Sequence, residues 1–385
     1  MHDITRTMHE AMNLMQGGDL QAATQAIQRG LRVRAPVNAP ARDVDFIDVP
    51  FEVVHEPADD TVQPTAAASI ADATDASEAD RDARVRDTGH DGDFCEHRFT
   101  SGAGALSYKL YVPAGLDPAL PAPLLVMLHG CTQSPDDFAR GTRMNALAHQ
   151  HGYVVAYPAQ SQKNNAGKCW NWFRSGDQQR GRGEPALIAA LTSHLVDRYR
   201  LDARRVYVAG LSAGGAMAAV LGHTYPDVYA AIGVHSGLPH LAAHDLPSAL
   251  AAMRQGGTGT ANGRSPAPPA RIPAIVFHGD RDATVDPCNG DAVLAQSIGS
   301  TARTAPASGT TVTVSHGSTP RGRAYTRTIH TDTAGIVVAE QWVVHDAGHA
   351  WFGGDASGSY TDPAGPDASA QMLRFFAERA RATTA

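Results

Sequence analysis

The stretch that most constrains this chain is the change of texture between Val206 and Gly222. Four apolar residues, Val206-Tyr207-Val208-Ala209, run directly into Gly210-Leu211-Ser212-Ala213-Gly214, and small residues follow from Gly215. So short an apolar run reads as a strand buried on both faces, and Ala213 to Gly222 reads as a helix. Turning from strand to helix within one residue leaves no room for flanking side chains. Glycines therefore stand two before and two after Ser212. The serine hydroxyl then projects at a helix N-terminus, where unpaired amides favour negative charge.

The same texture recurs. Leu106 to Val112 alternates like an antiparallel strand, and Leu124 to Leu128 is continuously apolar before His129-Gly130. Tyr153 to Tyr157, Ala231 to Val234 and Ile275 to Phe277 are further buried-strand runs. Helical patterns lie between them at Arg143 to His149, Pro185 to Tyr199 and Leu246 to Met253. Alternating strands and helices predict an α/β fold whose mostly parallel sheet is covered by helices on both faces. Asp367 to Arg381 reads as a closing amphipathic helix, capped by Asp367 with Met372, Leu373 and Phe376 inward. Gly256 to Ala270, rich in Gly and Pro, reads as a surface insertion.

This catalytic domain is expected over 105–385. Residues 34–104, rich in Ala, Asp, Pro and Thr and poor in aromatics, read as a low-complexity, disordered linker with a short strand near Val53. Residues 1–33 read as a short helical hairpin broken at Gly17-Gly18, with Asp19 as a cap and Leu20, Ala23, Ile27 and Leu31 on one face. Such a hairpin serves either for docking or as a partner-binding or targeting element.

The formal charge of -7 and the lack of a dense basic patch exclude a nucleic-acid binder. No apolar stretch reaches the roughly 20 residues of a membrane span. The four cysteines, Cys95, Cys131, Cys169 and Cys288, fit no zinc template. No metal and no cofactor are expected, and the sequence leaves the oligomeric state open.

A serine nucleophile needs a base, and the base needs an acid to orient it. With the order Ser, Asp, His, two later strand ends supply candidates. Asp282 lies in the turn after Ile275-Val276-Phe277, with Asp280 and Asp286 as rivals. His349 follows Val343-Val344, with His345 as its competitor. The amides of Ala213 and Cys131 are the expected oxyanion donors. His129, Trp170 and Trp172 are expected on the substrate-binding side. His129 sits beside the oxyanion loop in a positioning role, and the two tryptophans line an apolar acyl pocket or pack in the core.

Taken in order, His129-Gly130-Cys131-Thr132-Gln133, Cys169-Trp170-Asn171-Trp172-Phe173, Gly210 to Gly215, His235-Ser236-Gly237, His278 to Asp282 and Gly348-His349-Ala350-Trp351 resemble the polyhydroxybutyrate depolymerase family of esterases, in its short-chain, type 1 form. The resemblance spans roughly Ala105 to Arg381. It implies an α/β-hydrolase fold, a triad of Ser212, Asp282 and His349, and an oxyanion hole at Cys131 and Ala213. It makes a Cys131–Cys169 disulfide an expectation and implies an ester substrate, polymer or oligomer, met outside the cell. Residues 1 to 31 carry none of the marks of a secretory signal, which keeps the cytoplasm as the alternative. Feruloyl and acetylxylan esterases resemble the same group and supply the rival substrate class. A non-catalytic, partner-binding protein on a hydrolase scaffold is the rival of a different kind.

Overall fold

The computed structural model describes residues 92–117, 119–257, 271–299 and 310–381. The helical hairpin, the linker up to residue 91, the strand near Val53 and most of the Gly- and Pro-rich insertion lie outside the described residues.

One ten-stranded sheet organises the described residues. In chain order the strands are β1 (Gly92–Ser101), β2 (Gly104–Pro113), β3 (Leu124–Leu128), β4 (Val154–Pro158), β5 (Val206–Leu211), β6 (Ala231–His235), β7 (Ala274–Gly279), β8 (Thr311–Ser318), β9 (Ala324–Thr331) and β10 (Val337–Val344). Across the sheet they run β1-β2-β4-β3-β5-β6-β7-β10-β9-β8. The six central strands, β4 through β10 in that order, are mutually parallel, while the β1-β2 hairpin and the β8-β9 hairpin join antiparallel at the edges.

Period-two alternation divides the core. Leu124, Val126 and Leu128 of β3 face one side with helices α3 (Gly183–Tyr199), α4 (Ala213–Thr224) and α5 (Leu246–Gln255). Leu125 and Met127 face the other side with α1 (Pro135–Thr142), α2 (Met144–His151) and α7 (Ala368–Ala377). Helix α6 (Cys288–Ile298) contributes Val293 to the first side. With both faces covered, the central strands have no polar side and read as continuous apolar runs. Asp367 caps α7 by accepting from the Ala370 amide, and Met372, Leu373 and Phe376 are buried beneath it.

The structure corrects the expected domain boundary. Residues 92–101 are not linker: β1 pairs with β2 along its whole length, from Gly92↔Pro113 to Ser101↔Gly104. Phe94 and Phe99 pack against opposite halves of the core. As an edge strand β1 keeps a wet face, so its sequence GDFCEHRFTS carries charges a central strand would not.

The register aligns the chemistry. Leu128 pairs with Gly210, Leu211 with His235, His235 with Phe277, and Gly279 with Val344. The segments carrying His129, Ser212, Asp282 and His349 therefore all leave the sheet along its C-terminal edge, where open α/β sheets bind ligands.

Candidate active site

Ser212 stands between β5 and α4 with φ 57 and ψ -118, a sparsely populated conformation for a residue with a side chain. The elbow holds because its neighbours lack side chains. A Cβ on Gly214 would collide with the Leu128 carbonyl, and one on Gly210 would meet Leu128 O at 2.6 Å. The Ser212 amide donates to His235 O at 2.9 Å, and Ser212 O accepts from the Ala216 amide as α4 begins. Only 8% of the Ser212 residue is exposed. Ala213 opens α4, so its amide is one of the donors a helix leaves unpaired.

Beyond β7 the chain makes a tight turn in which Asp282 is buried and surrounded by donors. Its Oδ1 accepts from the amides of Thr284 and Val285, both at 2.9 Å. Its Oδ2 accepts from His349 Nδ1 at 2.7 Å and lies 3.4 Å from His278 Nε2. Burial alone raises a carboxyl group. Here the donors of His278 and His349 outweigh burial and hold Asp282 far below the usual carboxylate range.

The rival residues also find partners, of a different kind. His345 Nδ1 pairs with Asp280 Oδ2 at 2.9 Å, and its Nε2 meets Thr326 Oγ1 at 2.9 Å. Both side chains of that pair are more than a third exposed, at 39% and 37%, against 11% and 0% for His349 and Asp282. Asp286 accepts from the Cys288 amide at the start of α6. Its carboxylate serves that backbone turn and not a histidine.

The loop after β3, the expected site of an oxyanion donor, is tied from several sides. The Gly130 amide donates to Gln133 Oε1 at 2.8 Å and the Thr132 amide to Gly167 O at 2.7 Å. Neither bond uses the Cys131 amide between them. Cys131 is joined to Cys169 by a disulfide. Gln133 Nε2 reaches Ser359 O at 3.1 Å and Asp137 Oδ2 at 3.2 Å, fastening the loop to α1 and to the segment after His349.

His129, expected toward substrate, lies behind this loop. Its Nε2 accepts from the Gln160 amide at 3.1 Å, so its protonated Nδ1 donates to Gly130 O at 2.7 Å. Burial pushes His129 down to about 4, which keeps that tautomer neutral. With both ring nitrogens engaged, the side chain has no donor left for a ligand. Trp170 and Trp172 stand in a loop, not the strand that would have sent them to one face, and are buried at 2% and 5% exposure. Trp170 Nε1 donates to His129 O at 3.1 Å, so it too braces the loop from behind.

Sequence reasoning assigns no role to His235, although His235-Ser236-Gly237 is one of the resembling stretches. It is wholly buried, stacks on Phe277 and Trp351, and accepts at Nε2 from the Phe352 amide at 3.1 Å. Its carbonyl holds Ser212 and its ring holds the segment three residues past His349. Burial drives its ring well below the ordinary histidine range, so the ring stays an acceptor. A histidine at the end of an apolar, parallel-strand run is the one signal that could have found it.

Residues 106–310, more than half of the 385-residue chain, match the family model described as Esterase PHB depolymerase. A poly(3-hydroxyalkanoate) depolymerase C of Paucimonas lemoignei is 36% identical over 212 residues, covering 51% of this chain and 49% of that protein. A feruloyl esterase B of Neurospora crassa is 36% identical over 131 residues, 34% of this chain and 43% of its own length. The chain thus spans about half the length of the curated relatives it matches. The solved acetyl xylan esterase of Aspergillus awamori superposes with a TM-score of 0.54 at 20% identity, over 74% of this chain and 99% of that one, a likeness of fold. By the extent of the family match, this chain belongs to the PHB depolymerase family of esterases.

Proposed function

We propose that the chain is a serine esterase that hydrolyses short-chain hydroxyacid esters through an acyl-enzyme on Ser212. The observation that carries this reading is the buried His349–Asp282 hydrogen bond at the same sheet edge as the strained Ser212. His349 Nδ1–H is held by Asp282, which leaves Nε2 as the base. Nε2 takes the Ser212 proton as Oγ attacks the ester carbonyl, and the amides of Cys131 and Ala213 receive the negative charge that develops on the carbonyl oxygen. His349 then returns the proton to the departing alcohol. Water, activated by the same base, releases the acid and restores Ser212.

His129 and Trp170 act in this scheme by holding the Cys131 segment, and Trp172 as packing beneath it. The Cys131–Cys169 disulfide favours an oxidising compartment, which supports action outside the cell. The substrate would be a polymer or an oligomer of the hydroxyacid. The feruloyl esterase B similarity supports a second reading, a carbohydrate-linked ester.

Steady-state kcat/KM on hydroxybutyrate oligomers, methyl ferulate, acetylated xylan and p-nitrophenyl esters separates these readings. The hydroxybutyrate oligomer is expected to lead. A preference for methyl ferulate or acetylxylan would move the substrate class, and inertness on every ester would leave the non-catalytic reading.

A further inference from the structure

His278 ends β7, is 1% exposed, and points into the turn that carries Asp282. Its Nε2 lies 2.9 Å from Val285 O, and a carbonyl can only accept, so Nε2 carries a proton. That N–H also lies 3.4 Å from Asp282 Oδ2, the oxygen that accepts from His349. The other ring nitrogen, Nδ1, is buried with no hydrogen-bond partner. A proton there would be a buried donor with nothing to receive it, so the ring's useful N–H is the one on the Asp282 side. Gly290 of α6 closes the back: a Cβ there would stand 2.9 Å from Nδ1.

Resting on the esterase reading above, we infer that His278 is a positioning residue for the reaction. Its fixed N–H shares Asp282 Oδ2 with His349 and locks the 282–285 turn, setting both the orientation and the strength of the carboxylate behind the base. Asp282 thereby has two amides on Oδ1, His349 on Oδ2, and the His278 N–H 3.4 Å from that same oxygen. The titratable groups facing His349 and Asp282 are His278 and the buried His235, which is neutral. Removing the His278 donor leaves more negative charge on Oδ2 for the His349 imidazolium, so protonation of the base becomes easier.

The test is the pH profile of kcat/KM on a soluble ester for the full chain and three variants, with thermal melting alongside. His278→Leu fills the volume without a donor. Its acid limb is expected to move up by about half a pH unit or more, with kcat down on the order of tenfold and KM nearly unchanged. His278→Gln, which restores an N–H, should recover part of both effects. Gly290→Ala leaves every polar group in place but presses a methyl on Nδ1, so it should reproduce the kcat loss in a folded protein even if His278→Leu fails to fold. Wild-type limbs and kcat in these variants would overturn the inference. So would losses that follow the melting temperature alone, with no difference between Leu and Gln. A Ser212→Ala protein that stays active would instead remove the esterase reading beneath it.

Discussion

Replacing Asp282 by Asn is nearly isosteric, and the donors around it fix what the amide must do. If the Asn nitrogen took the place of Oδ1, it would face the Thr284 and Val285 amides, now each 2.9 Å from the oxygen. Leaving two buried donors against a third costs about 1–3 kcal/mol for each one orphaned. The nitrogen is driven to the Oδ2 side because the backbone amides cannot give up their protons, whereas His349, whose Nδ1 now donates to the carboxylate at 2.7 Å, can change tautomer. His349 can meet that N–H only by giving up its Nδ1 proton and carrying one on Nε2. That is the wrong tautomer to receive the Ser212 proton, and kcat should fall on the order of 10⁴-fold. Single-turnover and steady-state rates on a p-nitrophenyl ester read this directly, and a melting curve confirms the fold. An Asp282→Asn protein keeping more than about a tenth of wild-type kcat would refute the argument, because an amide whose oxygen is held by the Thr284 and Val285 amides offers His349 no acceptor.

Acid should destabilise the fold before it reaches the carboxylates. Burial lowers His129 from the ordinary 6.5 to about 4, so as pH falls the unfolded chain binds this proton first. Unfolding free energy should then decline from about pH 6.5 to about 4, by about 3 kcal/mol for His129 and more with His235, as urea titrations at pH 7 and 4.5 would show. A flat profile across that window would contradict it. Converting Cys131 and Cys169 to serine opens a cross-link over a sequence separation of 38 and should cost about 4 kcal/mol of stability, measurable by denaturant. A chain starting at Gly92 should keep its melting temperature and small-ester kcat/KM. One starting at Ala105 loses β1 with Phe94 and Phe99 and should melt several degrees lower.

What is legible ahead of the structure follows burial. Strands β3 to β7 are buried on both faces, so runs such as Leu124 to Leu128 stand out within a residue or two of their ends. The meander β8-β9-β10 does not, because β8 and β9 are half-wet and carry Thr, Ser, His and Arg without clean alternation. Helix α1 hides behind Pro135, Asp136 and Asp137, which suit a first turn and look like a loop. At the site, the glycine spacing around Ser212 is legible because the elbow leaves no alternative chemistry for those positions. The choice between His345 and His349 is not, since both follow β10 and both find an aspartate. Only the turn after β7, which buries Asp282 and leaves Asp280 in solvent, separates the two pairs. His129 and Trp170 point toward the ligand on sequence alone because sequence shows adjacency to the loop, and not which side of it a ring occupies.

The central claim is that Ser212 is the nucleophile, and the direct measurement is kcat of Ser212→Ala on a soluble ester beside its melting curve. The elbow is tied through the Ser212 backbone, so removing its hydroxyl leaves those bonds in place and the melting temperature should be unchanged. With Ser212, His349 and Asp282 acting as a unit, kcat should fall on the order of 10⁶-fold. A folded Ser212→Ala protein that still turns over the ester within about tenfold of wild type would contradict the account at its base.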